Sequence, residues 1–323
     1  DDPVAELTLG AAKLGWHSPT NDLALPEGTD IQCALEIRPE LIRLKKFRAK
    51  LDGQPITATG EWPLPAKAWS EYWSGQKVPD WNQASGRLEL REMQMAALAT
   101  YLPAMLSPEG QLNATLDLKP GKHLEGVLTV TNAATRPLAD ITPLRDIAAR
   151  VRLDGYRAVL ENFQGQIGGQ PISADGFASV ADLSGRRLDY QINLQGTNIP
   201  LARSPELLLR GDLALLLRQG SNAPPRVSGV VTLRDGLFVQ NTSALVWTGP
   251  VRPEGHPPYF SVTNEPFADW QLELGIRGDH FLRIRSPVFS GICSADFQLK
   301  GSLRTPVLTG DARVDSGRLV FPF

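Results

Sequence analysis

Apolar and polar residues alternate one by one along most of this chain. In residues 112–119, Leu112, Ala114, Leu116 and Leu118 are separated by polar residues. The same alternation recurs in four other segments: 31–38, 147–154, 188–195 and 270–277. A period of two is typical of a β-strand with one face in water, as in antiparallel sheets. The pattern therefore predicts an almost wholly β protein with one dry and one wet face.

Two segments have helical spacing instead. Residues 66–73 place aromatic side chains on one side, and residues 92–102 align Met95, Leu98 and Leu102. An apolar stripe at helical spacing normally packs against the protein's own core. We therefore expect two short helices that cap the sheet and bind no ligand.

The chain contains two internal repeats. FRAKLDGQPITATG at 47–60 returns as FQGQIGGQPISADG at 163–176, and residues 215–239 align without a gap on residues 296–320. Many of the matched positions are Gly, Pro or Ser, which are turn residues. Two independent repeats in one chain indicate a repeat architecture.

Repetition bears on how the strands cover their dry faces. A sandwich closes after roughly seven to nine strands, whereas repeats lengthen a single sheet. We therefore expect an all-β fold with two short helices, namely an elongated, curled antiparallel sheet (a β-groove or β-taco) with an apolar interior. It forms one continuous module over residues 1–323, with three sub-repeats at about 1–106, 107–204 and 205–323.

The dry face predicts which residues line this groove. Gly60, Gly176 and Gly229 fall on or beside it, where a glycine lets a strand bend and also leaves space. The predicted lining residues are Cys33, Leu35, Ile37, Ile56, Ala58, Leu112, Ala114, Leu116, Leu118, Ala149, Val151, Leu153, Tyr190, Ile192, Leu194, Leu213, Leu215, Val231, Leu272, Leu274, Ile276, Phe297 and Leu299.

Composition and charge exclude several classes of function. The 323 residues have a formal net charge of −2 and 42% hydrophobic content, and Lys and Arg occur singly. This argues against nucleic acid as a partner and predicts no cluster of basic residues that would hold a phosphate. No apolar run approaches the ~20 residues of a membrane-spanning helix. We expect the chain to be a piece of a longer protein, with any targeting or anchoring segment outside it.

Catalytic and metal-binding motifs are missing from the sequence. There is no GxSxG, no phosphate-binding loop and no HExxH, and the four histidines are isolated. Cys33 and Cys293 are far apart and are expected to be free, inward-facing thiols. The sequence therefore predicts a protein that is not an enzyme and has no cofactor and no metal.

The repeats also resemble a known family. LKGSLRTPVLTGDARVDSGRLVF at 299–321 combines a leucine-rich strand, a glycine turn and a later Pro-x-x-x-Gly, and residues 136–176 follow Pro-Leu-Arg-Asp with alternating strands. Both are similar to the TamB/AsmA-like proteins of Gram-negative bacteria. The resemblance is closest over residues 107–323 and looser over residues 1–106.

The resemblance implies a location and partners. Family members form a β-groove between the inner and outer membranes and are anchored in the inner membrane by an N-terminal helix. They are linked to outer-membrane phospholipid transport and to β-barrel assembly. For this chain it implies a periplasmic location, with three partners: phospholipid, the inner membrane through an anchor missing here, and an outer-membrane β-barrel protein.

Three functions follow as hypotheses. The first is a non-enzymatic conduit that shields phospholipid acyl chains between the two membranes. The second is a chaperone-like groove for the assembly of outer-membrane β-barrel proteins. The third is a structural or adhesive array of β-sandwiches, which would share the alternation, the glycine turns and the near-neutral charge.

Overall fold

The computed structural model describes residues 4–14, 28–65, 81–99, 102, 106–121, 123–136, 142–180, 188–220, 223–240, 261 and 267–320. Within these ranges, sixteen strands form one sheet in which spatial order follows chain order from β1 to β16. The sheet is not closed, because β1 and β16 stand at its two ends. The predicted fold class is thereby confirmed, and the sandwich alternative is wrong because all sixteen described strands belong to one sheet.

The strands are long and are joined mostly by short turns. They are β1 (Ala5–Leu14), β2 (Gly28–Arg38), β3 (Leu41–Leu51), β4 (Gln54–Pro63), β5 (Ser85–Gln94), β6 (Gln111–Lys119), β7 (His123–Ala133), β8 (Leu144–Asp154), β9 (Arg157–Ile167), β10 (Gln170–Val180), β11 (Leu188–Arg203), β12 (Leu207–Gln219), β13 (Arg226–Val239), β14 (Gln271–Arg285), β15 (Phe289–Ser302) and β16 (Pro306–Leu319). Two short 3₁₀ helices are described, at Trp81–Gln83 and Met95–Leu98.

The helix expected at residues 92–102 is largely a strand. Residues 92–94 belong to β5, and only Met95–Leu98 forms a 3₁₀ turn. Pairing of Met93 with Leu112 extends the ladder, and the Met93 side chain is fully buried. Burial of Met93 in the sheet outweighs the weak helical preference of this segment. The other expected helix, at 66–73, lies outside the described residues.

One pair of strands departs from the antiparallel prediction. β13 and β14 run parallel, from Arg226 opposite Gln271 to Val239 opposite Arg285. Every other pairing whose register the structure gives is antiparallel. A parallel pair requires a long return connection, and the chain between Val239 and Gln271 is long enough to supply one. Alternation alone carries no information about strand direction, so the sequence did not predict this pair.

The chain divides into two compact units, Asp1–Phe163 and Gln164–Phe323. The first contains β1 to β8 and most of β9, and the second contains β10 to β16. In the first unit, buried Met95, Ala133 and Ile147 form an apolar cluster against which Leu102 and Phe163 pack. Met95 and Leu102 therefore pack in the core as expected, although the helix expected to carry them is not formed. The three sub-repeats remain a prediction.

The core of the second unit lies on β12 to β15. Val231, Leu233, Phe281 and Ala295 are buried together. Partly buried apolar residues pack around them: Leu209, Leu213, Leu215, Ile276, Leu282 and Phe297. All of these strands are neighbours in one layer, so the cluster is built on one face of a sheet without a second layer of described residues over it.

In the described strand pairs whose register is known, bulges bend the strands at five places where a non-glycine residue has a left-handed backbone. At each bulge the strand gains residues relative to its partner, which increases local bend and twist. The φ angles of these residues lie between 50° and 55°. The five residues are Asp30, Glu92, Asn132, Asn198 and His280.

Three of these bulges are held by the neighbouring strand. The backbone N–H of Glu92 donates to Asn113 Oδ1 at 2.7 Å, and that of Asn198 donates to Asp212 Oδ1 at 2.9 Å. The N–H of His280 donates to Ser294 Oγ at 2.8 Å. A bulge leaves an N–H outside the ladder, and here a side chain directly across the sheet accepts it.

Four glycines bend the sheet in a second way. Gly126, Gly176, Gly229 and Gly310 have φ angles between 132° and 155°, a region that other residues rarely adopt. Each lies directly opposite a large apolar residue: Leu116, Ile192, Leu215 and Phe297. Gly229 and Gly310 occupy matching positions in the second sequence repeat, so the repeat preserves a backbone conformation.

A Gly229→Ala variant should lose stability. An added Cβ would lie 2.1 Å from the carbonyl oxygen of Ala214, and the positive φ would be strained. We expect a loss of at least about 1–3 kcal/mol in the free energy of unfolding, measured by urea denaturation. Gly275→Ala is the control, since its new Cβ would lie 3.7 Å from Gln298 Nε2 and 4.0 Å from the Gly229 carbonyl oxygen, both ordinary contact distances. Equal stability of the two variants would contradict a conformational role for Gly229.

An Asp212→Ala variant should weaken the bulge at Asn198. It removes the acceptor of the Asn198 N–H and should cost about 1 kcal/mol, whereas Asp212→Asn keeps an acceptor oxygen and should cost less. The Asn198 N–H, with Arg234, lowers the pKa of Asp212. The ionised Asp212 carboxylate therefore stabilises the fold fully at pH values above the pKa of an unfolded aspartate. This stabilisation is lost as the pH falls below about 4. Urea denaturation of the wild type and both variants from pH 3 to 7 tests this. If the free energy of unfolding depended on pH identically in all three proteins, the prediction would be contradicted.

Candidate functional site

The register of the second unit places apolar residues in continuous rows across the strands. Residues directly opposite one another on successive strands share a face of the sheet. One row crosses β10 to β16 through Ala174, Leu194, Leu215, Gly229, Leu274, Leu299 and Leu308. The rows beside it contain Gly176, Ile192, Leu217, Val227, Leu272, Gly301 and Pro306, and Gly196, Leu213, Val231, Ile276, Phe297 and Gly310.

The first unit repeats this arrangement on its own strands. One row contains Leu9, Cys33, Phe47, Ala58, Leu88, Leu116, Gly126 and Leu153. Its neighbours contain Leu7, Leu35, Leu44, Gly60, Gly86, Leu118 and Leu124, and Ala49, Ile56, Leu90, Ala114, Leu128 and Val151. We call the surface formed by these rows, in either unit, the apolar face.

All 23 residues predicted to line a groove lie on the apolar face of their unit. Ile37 lies between Ala5 and Ile42, and Ala149 is opposite Val130. Tyr190 lies in a row that ends at Gln219, and burial raises the pKa of its hydroxyl. The register thus brings the predicted residues together within each unit.

Most of the predicted residues remain partly accessible. Ala114, Val231, Leu272 and Leu274 are buried, Leu118 is 37% exposed, and the others are half-buried. Leu112 packs against the cluster around Met95, so that part of the apolar face is covered by the chain itself. An apolar surface that is neither sealed nor fully in water can contact a ligand without unfolding.

Sequence reasoning missed several members of this face. Leu7, Leu88, Leu128 and Leu308 complete rows in which their neighbours were predicted. Phe281 is buried in the second unit's core although it lies in the bulge of β14. Leu88 and Leu90 alternate with charged residues and could have been found by the same rule, whereas Phe281 breaks the period of two.

The opposite face of each unit carries paired charges. In the first unit, Lys45 and Arg38 donate to Glu36, which lowers the pKa of that carboxyl group. In the same way Arg152 and Arg150 bind Glu161 at 2.8 and 3.0 Å. In the second unit, Arg234 binds Asp212. Glu36 is only 5% exposed because its basic partners cover it, whereas those partners and the other arginines of these pairs are exposed. Exposed pairs contribute little stability individually, but they keep this face wet.

A Ser, an Asp and a His meet in the second unit without the geometry of a catalytic triad. Ser294 Oγ donates to Asp315 Oδ2, and His280 Nδ1 lies 3.0 Å from the same oxygen. Ser294 Oγ gives its proton to the Asp315 carboxylate and accepts the His280 backbone N–H, and His280 Nδ1 faces Asp315, so the imidazole is not placed as the base of a serine nucleophile. The bond from Ser294, followed by that from Arg313, lowers the pKa of Asp315. The cluster fixes the bulge of β14.

A second cluster has donor atoms of the kind that bind metals. His123 Nε2 lies 3.3 Å from Glu125 Oε1 and 3.2 Å from Asp154 Oδ1. His123 was expected to be isolated, but β7 and β8 bring both carboxylates to it. Lys119 contacts the other oxygen of Glu125 and offsets its charge. Contacts within the group and the Lys119–Glu125 ion pair account for this partly exposed cluster, which contains the ligand types of a zinc site.

Neither cysteine is in a disulfide, as predicted. Cys293 is buried and Cys33 is half-buried, and burial raises the pKa of both thiols. Each lies on the apolar face of its unit: Cys33 between Leu9 and Phe47, and Cys293 between Leu282 and Val314. Apolar surroundings that disfavour the thiolate make both thiols poor nucleophiles.

The family model for the TamB C-terminal domain matches residues 161–323, half of the chain. The chain belongs to the TamB family. Searches of curated proteins and of solved structures gave no match. TamB proteins act in the cell envelope, and none of the helices described for this TamB-family chain is long and apolar enough to cross a bilayer.

Maleimide labelling should distinguish the two thiols. We expect Cys33 to react faster than Cys293, and both to react more slowly at pH 7 than the same thiols in urea. Because the pKa of each is raised, both rates should increase as pH rises beyond 9. Mass spectrometry of labelled peptides measures each site. Equal, fast labelling of Cys293 in the folded protein would contradict the burial of this strand.

Proposed function

We propose that this TamB-family chain is a non-enzymatic conduit for phospholipid in the periplasm of a Gram-negative cell. The apolar face would shield acyl chains while the headgroups remain in water. The continuous apolar rows within each unit are the observation that supports this most directly. The whole protein would be anchored in the inner membrane and would meet a β-barrel partner at the outer membrane.

The free energy of acyl transfer explains why such a path is needed. Moving about 16 methylenes from water to an apolar surface is worth about 13 kcal/mol, at ~0.8 kcal/mol for each group. A free lipid therefore does not cross an aqueous gap at a useful rate. The donor bilayer is as apolar as Leu, Ile and Val side chains, so transfer from bilayer to protein has little net cost or gain.

The chemistry of the rows suits movement more than tight retention. The three rows of the second unit contain only apolar residues, proline and glycine, so no polar group in them holds a lipid at one place. A tight ligand pocket instead places a few polar groups around its ligand. Low selectivity among acyl chains follows from this lack of polar contacts.

A pair of neighbouring variants tests the proposal. Leu215 is on the apolar face between Leu194 and Gly229, and Ala214 is on the wet face between Gln195 and Val230. Leu215→Arg should reduce crosslinking to a photoactivatable phospholipid at least about tenfold, since a guanidinium beside an acyl chain costs more than the ~1.4 kcal/mol of a tenfold change. Ala214→Arg should leave crosslinking unchanged.

The same experiment separates lipid from protein cargo. Circular dichroism must show that both variants keep their strands. Unchanged lipid crosslinking in Leu215→Arg, repeated at Leu116, Ile192, Leu194 and Leu274, would refute the conduit. If a photoreactive residue at position 215 captured unfolded β-barrel polypeptide and no phospholipid, the function of a chaperone-like groove would replace that of a lipid conduit.

A further inference from the structure

Three arginines of the second unit lie near one another where β14 and β16 end and where β15, the strand between them, begins. Arg285 is the last residue of β14, and the register places Ser290 directly between it and Arg318 of β16. Arg283 precedes Arg285 by two residues and therefore shares its face. With Ser316, these residues line a shallow concavity of about 420 Å³. We call Arg283, Arg285 and Arg318 the arginine patch.

The arginine patch is not neutralised by carboxylates in the part of the chain that the structure describes. Two other arginines on the same face of the second unit are each paired with a carboxylate: Arg226 lies 3.3 Å from Glu273, and Arg277 lies 3.3 Å from Asp296. No described carboxylate lies within ion-pair distance of a patch member. Arg283 and Arg285 share β14, and Arg318 lies one strand beyond β15, so the three like charges repel one another and an anion bound between them would relieve that repulsion.

The apolar face reaches the same end of these strands from the other side. Ile284, Gly291 and Gly317 form an apolar row that alternates with the arginines. The Phe289 ring lies over both glycines, since a Cβ added to Gly291 would be 2.6 Å from the ring and one added to Gly317 would be 2.7 Å away. Leu319, one residue beyond Arg318, is 64% exposed. Only the thickness of one sheet separates the two surfaces.

We propose that the arginine patch binds the phosphodiester of a phospholipid whose acyl chains lie on the apolar face. The proposal rests on the proposed function, because it places the headgroup of the same lipid. Guanidinium groups suit phosphate through paired N–H donors, and the Ser290 and Ser316 hydroxyls add two more donors. The sequence predicted no basic cluster because its members are separated along the chain and meet only through strand pairing.

Vesicle binding by the full chain tests the patch. R285Q/R318Q removes two patch charges, and R226Q/R277Q removes two paired charges from the same face. At about 1 kcal/mol for each arginine, R285Q/R318Q should bind phosphatidylglycerol vesicles roughly thirtyfold more weakly in co-sedimentation at fixed salt. R226Q/R277Q should bind like the wild type. Equal weakening in both double variants would overturn the patch in favour of a general charge effect.

Titration with inorganic phosphate separates the two sources of the anion. A free ion lacks acyl chains, so it should bind at least about a hundredfold more weakly than vesicles do. Tight binding of inorganic phosphate by a protein that ignores vesicles would overturn the headgroup assignment.

Co-purified phospholipid, measured by mass spectrometry, separates this proposal from the conduit. R285Q/R318Q should retain as much lipid as the wild type, because the acyl chains lie on the other face. A wild type without lipid that still binds vesicles through the patch would refute the conduit and support the patch. If the purified protein carries lipid but the two double variants bind vesicles equally, the proposed role of the arginine patch is refuted and the conduit is not.

Discussion

The described residues form a sheet with one apolar face and no second layer over it, so the sheet must bend, and the rest of this structure depends on that constraint. In a flat sheet, the rows around Leu215 would lie open to water over their whole area. Bending brings side chains from neighbouring strands together, as in the cluster of Val231, Leu233, Phe281 and Ala295. The bend comes from the backbone, through bulges with left-handed residues and glycines with strongly positive φ. The bend thereby lets the described strands cover part of their own apolar surface.

The two bending devices differ in what stabilises them. A bulge leaves an N–H without a ladder partner, and Asn113, Asp212 and Ser294 accept such bonds from across the sheet. Arg234 in turn binds Asp212, so a charged contact on the wet face fixes the curvature of the apolar face. A glycine bend needs no polar partner. It requires only that no Cβ be present and that a large neighbour such as Leu215 lie opposite.

The sequence predicted what depends on local pattern and missed what depends on register. Alternation identified strands and the apolar face, because a period of two is a local property. The bulges also leave a local trace: the apolar series Leu88 and Leu90 resumes at Met93, one position out of phase. That slip was read as a helix. The parallel pairing of β13 and β14 and the meeting of His123 with Asp154 required knowledge of which strands are neighbours.

The period of two also lets one strand serve two tasks independently. On β14, Ile284 belongs to the apolar face and Arg283 and Arg285 to the arginine patch, although all three are consecutive. A shift of one residue in register would exchange the two faces, so correct pairing matters as much as composition. Bulges are compatible with this only because each restores the inward direction of the next apolar residue. Curvature, shielding and headgroup contact are therefore set by different residues of the same strands.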